Sequence, residues 1–183
     1  FVFLFILSNV FYIVNNFNEG RFDNEFIRIY KKFYIMNGPQ GVNDKQSEIY
    51  FNLLSKKIND FDLIMKSLYD IPKCIRREKE IHCLFLSFTS KYLHTLNNDL
   101  PIYDSMVSDA LSLKKYYDNN NELDTRINNK KKIYNSLIDR YKELLADEEI
   151  KEILNKYRIK FKNLQRINPI FIWQDNTMTN TKL

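Results

Sequence analysis

The residues able to do chemistry gather between Lys73 and Val107. Asp104 follows Pro101-Ile-Tyr and precedes Ser-Met-Val107, so it stands where a helix begins. A carboxylate there can accept the amide hydrogen of Met106 or Val107 as an N-cap. Given access to a ligand, it can also activate water or stabilise a developing positive charge. The two roles are compatible, because capping does not forbid chemistry. Upstream, Lys73, Arg76, Arg77 and Lys79 form a basic cluster in a turn immediately before the most apolar helix. Cations so grouped suit phosphate oxygens, and counterion release would make such binding salt-dependent. His82, His94, Cys74 and Cys83 lie in the same region, but no spacing among them or with an acidic residue matches a metal site. The histidines are read as core or surface residues, and neither a metal nor another cofactor is expected.

Helical periodicity supplies the elements that must position these residues. Phe22, Phe26, Ile29, Tyr30 and Phe33 share one stripe, and Asn37-Gly38-Pro39 supplies a stop. Asn43 or Asp44 can cap a second helix carrying Ile49, Tyr50, Leu53, Leu54 and Ile58. A short helix follows over 61–69 and ends before Pro72. The segment 81–96 is the best core candidate, because Ile81, Leu84, Phe85, Phe88, Tyr92 and Leu96 form a face that Leu86 and Leu93 widen. A helix so widely apolar belongs in the middle of a bundle. Asp104 opens the next helix, which fades over 116–121. Leu123, Ile127, Tyr134, Leu137, Tyr141, Leu144 and Leu145 mark a long amphipathic helix, and Asp147, Glu148 and Glu149 suit the start of a last one. The apolar residues 169–173 are expected to dock back. The expected fold class is all-α, a single-domain bundle of seven or eight helices over 1–174 with a flexible tail at 175–183. The Tyr and Phe stripes read as core rather than as a base-stacking platform.

Two stretches carry a resemblance: Ser87-Phe-Thr-Ser-Lys-Tyr-Leu-His94, and Asn97-Asn-Asp-Leu-Pro-Ile-Tyr-Asp104-Ser-Met-Val107. Over 75–113 the chain resembles the middle of the helix-hairpin-helix DNA glycosylase superfamily. Thr89-Ser90 matches the family's Thr-Ala pair, and 101–107 matches the motif whose Asp is the catalytic carboxylate. The Ser-Lys-x-Leu-His and Pro-Ile-Tyr-Asp-Ser elements are also similar to those of uncharacterised bacterial helical proteins, which bring no activity with them. The glycosylase resemblance implies double-stranded DNA as partner and Asp104 as the group that stabilises an oxocarbenium-like sugar or activates water. It also implies Arg76, Arg77, Lys79 and Lys91 as phosphate contacts, and Phe88, Tyr92 and Tyr103 as walls for a flipped nucleotide. The chain departs from the family in several places. No glycine occurs over 84–88, Phe88 stands where bifunctional members carry a nucleophilic Lys, and Met106 replaces the family's His. With only two Cys, the iron–sulfur form is excluded. A monofunctional relative is what remains of that reading.

Composition sets the outer bounds. The 183 residues hold 28 Lys and Arg against 23 Asp and Glu, a net charge of +5, and 44% are hydrophobic, which is too apolar for disorder. Three Gly and four Pro exclude collagen and disfavour a many-turned β-sandwich, and no glycine follows Gly41 to build a phosphate loop. Twelve basic and six acidic residues fall within 125–166, a local +6 that places the whole excess there. Solvated helix surfaces laced with ion pairs account for that excess as readily as a phosphate-binding face does. Two Cys are too few for a disulfide framework and read as reduced thiols of a cytoplasmic protein. The apolar residues 1–14 are too short to span a membrane and lack a signal peptide's basic start, so a buried first element is expected. Three functions follow: a DNA-contacting helical protein using Asp104, a non-catalytic interaction module in which Asp104 is only a cap, or a membrane-proximal protein whose apolar run 1–14 belongs to a longer anchor and whose basic C-terminal helices face anionic lipid.

Overall fold

The computed structural model describes residues 2–38, 41–113 and 122–160, and for 2–8, 11 and 157–160 it describes the backbone alone. The expected helix fade at 116–121, the apolar segment 169–173 and the tail 175–183 lie outside the described residues. The chain divides into two compact units, Phe1–Leu96 and Asn97–Leu183. In the first, α1 (Val2–Asn18), α2 (Asn24–Phe33), α3 (Asp44–Ser55) and α4 (Phe61–Tyr69) precede a small antiparallel ribbon. Its strands are β1 (Cys74–Arg76) and β2 (Lys79–Ile81), and α5 (Leu86–Leu96) follows. The second unit contains α6 (Ser105–Ala110), α7 (Leu123–Ala146) and α8 (Glu148–Lys160). The described residues are thus mostly helical, in rough accord with the all-α expectation, with one small two-stranded ribbon besides. Among the described residues no helix is long and apolar enough to cross a membrane.

Side-chain caps fix the helix starts. Asp23 accepts the Phe26 amide at 2.8 Å and Asp60 the Leu63 amide at 3.0 Å. Asn43 and Gln46 bond reciprocally, at 2.9 and 3.1 Å, in a capping box. Helix ends are handled differently because glycine is scarce. α2 closes through Ile35 at φ +52, with the Met36 amide donating to the Lys31 carbonyl at 2.8 Å. Lys57 at φ +53 and Ser112 at φ +50 close α3 and α6 in the same way, and Gly20 closes α1. The stop expected at Asn37-Gly38-Pro39 therefore comes earlier. The physical reason is Met36, which is fully buried; the closure that inserts it beneath the helix outweighs the roughly 1 kcal/mol of placing a β-branched residue in left-handed backbone.

The core of the first unit is aromatic. Phe26, Tyr30, Tyr50 and Tyr92 are fully buried, and Phe51 nearly so. Their rings meet mostly edge to face, as Tyr30 does with Phe51 at 5.3 Å and Tyr50 with Tyr92 at 5.3 Å. Their hydroxyls would be costly there unless bonded. Tyr30 Oη lies 2.9 Å from Tyr50 Oη and 2.7 Å from Thr95 Oγ1, and Tyr50 donates to the Phe88 carbonyl at 3.2 Å. α5 is the helix these rings surround, with Leu86, Phe88, Thr89, Ser90, Tyr92, Leu93, His94 and Thr95 all buried. It occupies the central place expected for it but begins at Leu86 rather than 81, because Lys79–Ile81 is spent on the ribbon.

In the second unit α7 buries Ile127, Ile133, Tyr134, Leu137 and Tyr141. Tyr134 donates to the Pro101 carbonyl at 3.0 Å, which fixes the approach to α6. Asp147 caps α8 through the Ile150 amide at 3.1 Å, as the acidic run predicts.

Candidate nucleic-acid interface

The basic cluster is organised by the ribbon. β1 and β2 pair in the register Cys74–Ile81, Ile75–Glu80 and Arg76–Lys79, joined by a two-residue turn at Arg77 and Glu78. Both turn residues have positive φ, 50 and 61, as a type I′ hairpin requires. Such turns usually use Asn-Gly, and here neither residue is of that kind. Every residue from Cys74 to Ile81 is exposed. The ribbon therefore projects Arg76, Arg77 and Lys79 into solvent.

Its base is held firmly. The Asn43 Nδ2 donates to the carbonyls of Pro72 at 2.8 Å and Lys73 at 3.2 Å, while its Oδ1 caps α3. Gln46, fully buried, donates to the carbonyls of Leu68 at 3.3 Å and Ile71 at 2.9 Å. The Lys73 amide extends the ladder by donating to the Ile81 carbonyl at 2.7 Å, and its ammonium lies 5.5 Å above the Phe85 ring. On the other side, His82 Nδ1 sits 2.6 Å from the Tyr69 carbonyl, its ring against that of Tyr69. Nε2 of the same ring lies 3.3 Å from a Glu80 carboxylate oxygen.

The remaining site residues fall in two places. Lys91 is half-buried on α5; its ammonium donates to the Tyr34 carbonyl at 2.9 Å and lies 5.0 Å over the Phe88 ring. Phe88 is 6% exposed and Tyr92 fully buried, so both rings are parts of the core of the first unit. Asp104 and Tyr103 belong to the second unit, each half-buried. Asp104 is the N-cap of α6, its Oδ1 accepting the Met106 amide at 2.8 Å. The structure thus brings Arg76, Arg77 and Lys79 together on one ribbon, and Lys91 with Phe88 on one helix.

Sequence reasoning missed the ribbon itself and the residues that seat it, Asn43, Gln46 and His82. Asn43 was legible as a cap, but its second amide bond reaches 29 residues along the chain, which periodicity does not register. His94 is buried and His82 is engaged as described; among the described residues no group of His, Cys, Asp or Glu is placed to hold a metal ion. Compared with known proteins, the chain matches no family model, no curated protein and no solved structure.

Proposed function

We propose that this chain is a helical DNA-binding protein of the cytoplasm whose contact element is the ribbon 74–81. One observation carries the reading: three cations without an ion-pair partner among the described residues are displayed on a projecting hairpin whose base is bonded to α3 and α4. A two-stranded ribbon is an element that the major groove of duplex DNA admits. Phosphate neutralisation by Arg76, Arg77 and Lys79 supplies affinity without sequence preference. The test is anisotropy of a labelled duplex titrated at several salt concentrations. Replacing Arg76 and Arg77 by Ala should weaken binding about tenfold at low salt and flatten the log–log salt slope. A wild-type chain that ignores duplex DNA at low salt ends the proposal.

The finer reading, a helix-hairpin-helix glycosylase relative with Asp104 as its carboxylate, separates cleanly from this one. Asparagine caps a helix about as well as aspartate, so Asp104→Asn removes the charge and keeps the α6 start. Base release that vanishes in that variant supports catalysis. The Met106 amide on Oδ1 favours a second reading, in which Asp104 is a cap within a non-catalytic module. In that case Asp104→Asn changes neither stability beyond a few tenths of a kcal/mol nor DNA affinity.

A further inference from the structure

The ribbon contains a conflict that its own fold does not resolve. Arg76 and Lys79 are direct cross-strand partners, so their side chains share one face with their Cβ atoms about 5 Å apart. Like charges so placed destabilise a hairpin. Among the described residues no acid forms an ion pair with them: Glu80 occupies the opposite face with Ile75 and lies 3.3 Å from His82, and Glu78 is in the turn. Arg77, the third cation, adds its charge at the tip and holds left-handed backbone at φ +50. Repulsion and backbone strain fall together on four consecutive residues, beside a base secured by Asn43 and His82. A ribbon serving only to connect α4 with α5 would do better with an acid at 79 and Asn-Gly in the turn.

We infer that Arg76 and Lys79, with Arg77 at the tip, form a clamp for a single phosphate oxyanion, and that the bound phosphate removes the repulsion the free ribbon carries. The inference rests on the DNA-binding reading above for the source of the phosphate. The two cations flank the oxyanion from the two strands, each donating charge-assisted N–H bonds to it. Binding at the tip therefore tightens the ribbon, and the free ribbon opens more readily than its ladder bonds alone would dictate.

Charge reversal at one position separates these effects. Lys79→Glu converts the repulsive pair into an attractive one while removing half of the clamp. Amide exchange and thermal melting of the full chain, together with duplex-DNA anisotropy, read both sides. The expected result is a severalfold slowing of exchange at the ribbon amides and a melting temperature raised by roughly 1–3 °C. Affinity for DNA falls about tenfold at the same time. Arg76→Glu gives the same pattern, and the double reversal, which restores like charges as two acids, speeds ribbon exchange again without regaining DNA. If the wild-type binds DNA but Lys79→Glu leaves affinity unchanged, the clamp is overturned and the DNA-binding reading stands. If duplex DNA has no effect but inorganic phosphate slows ribbon exchange in the wild type and not in Lys79→Glu, the clamp holds and its ligand is free phosphate. Ribbon exchange that is indifferent to both probes and to charge reversal overturns it outright.

Discussion

The aromatic centre of the first unit and the tip of its ribbon solve opposite problems. At the centre, Tyr30, Tyr50 and Thr95 bury three hydroxyls and bond them to one another and to the Phe88 carbonyl. There, these three hydroxyls are present because aromatic packing brought them, and the fold bonds each of them. At the tip, Arg76, Arg77 and Lys79 are exposed, Arg77 holds left-handed backbone, Arg76 and Lys79 face each other as like charges, and none of the three has an ion-pair partner among the described residues. A polar group with a partner explains itself through stability. On the reading proposed above, charges kept where stability would remove them are there for a ligand.

Alkaline titration should break the centre first and by the largest margin. Burial raises the ionisation of Tyr30 and Tyr50 well above the ordinary phenol range, and pushes Tyr34 up to about 12. In the unfolded chain these phenols ionise near pH 10. The folded state then binds more protons than the unfolded one, so stability is intact below pH 10 and declines as pH rises from there through the folded values. Each such tyrosine contributes a loss of about 1.4 kcal/mol per pH unit in that window. Ultraviolet absorbance of phenolate, followed with circular dichroism, should show these tyrosines ionising together with loss of helix. Independent, gradual ionisation without unfolding would mean that the centre is open to water.

A smaller effect is expected where centre and tip are joined. Asn43→Ala removes the α3 cap and both bonds to the ribbon base, and should cost about 2–3 kcal/mol in denaturant unfolding. DNA affinity should drop as well, although residue 43 carries no charge. Loss of stability with affinity intact would show that the base does not matter to presentation of the tip.

The smallest effect is a gain. Glu78→Gly relieves positive φ at the second turn position and should stabilise the chain by about 0.5–1 kcal/mol, with little change in DNA binding. A destabilised Glu78→Gly would mean that Glu78 makes contributions the turn geometry does not reveal.

The sequence predicted the elements whose determinants are local. The start of α4, the Asn43 cap, the Asp104 cap on Met106 and the start of α8 at Glu148 follow from a capping side chain within three residues of the amide it binds. The central place of α5 was legible in its breadth of apolar residues. The ribbon was not, because Arg77-Glu78 lacks every residue type that signals a type I′ turn and its strands are three residues long. Nor was the end of α2, where burial of Met36 overrode the Gly38 signal.

Local pattern, then, determined that this chain is mostly helical, where its helices start, and that cations precede α5 and a carboxylate opens α6. Only the tertiary structure decided that those cations stand face to face on a projecting ribbon, and that Lys91 spends its charge on the Tyr34 carbonyl. The reason is range. Capping and amphipathic periodicity act across a few residues, whereas the bonds from Asn43 to Pro72, from His82 to Tyr69 and from Tyr30 to Thr95 exist only once distant segments have been packed together.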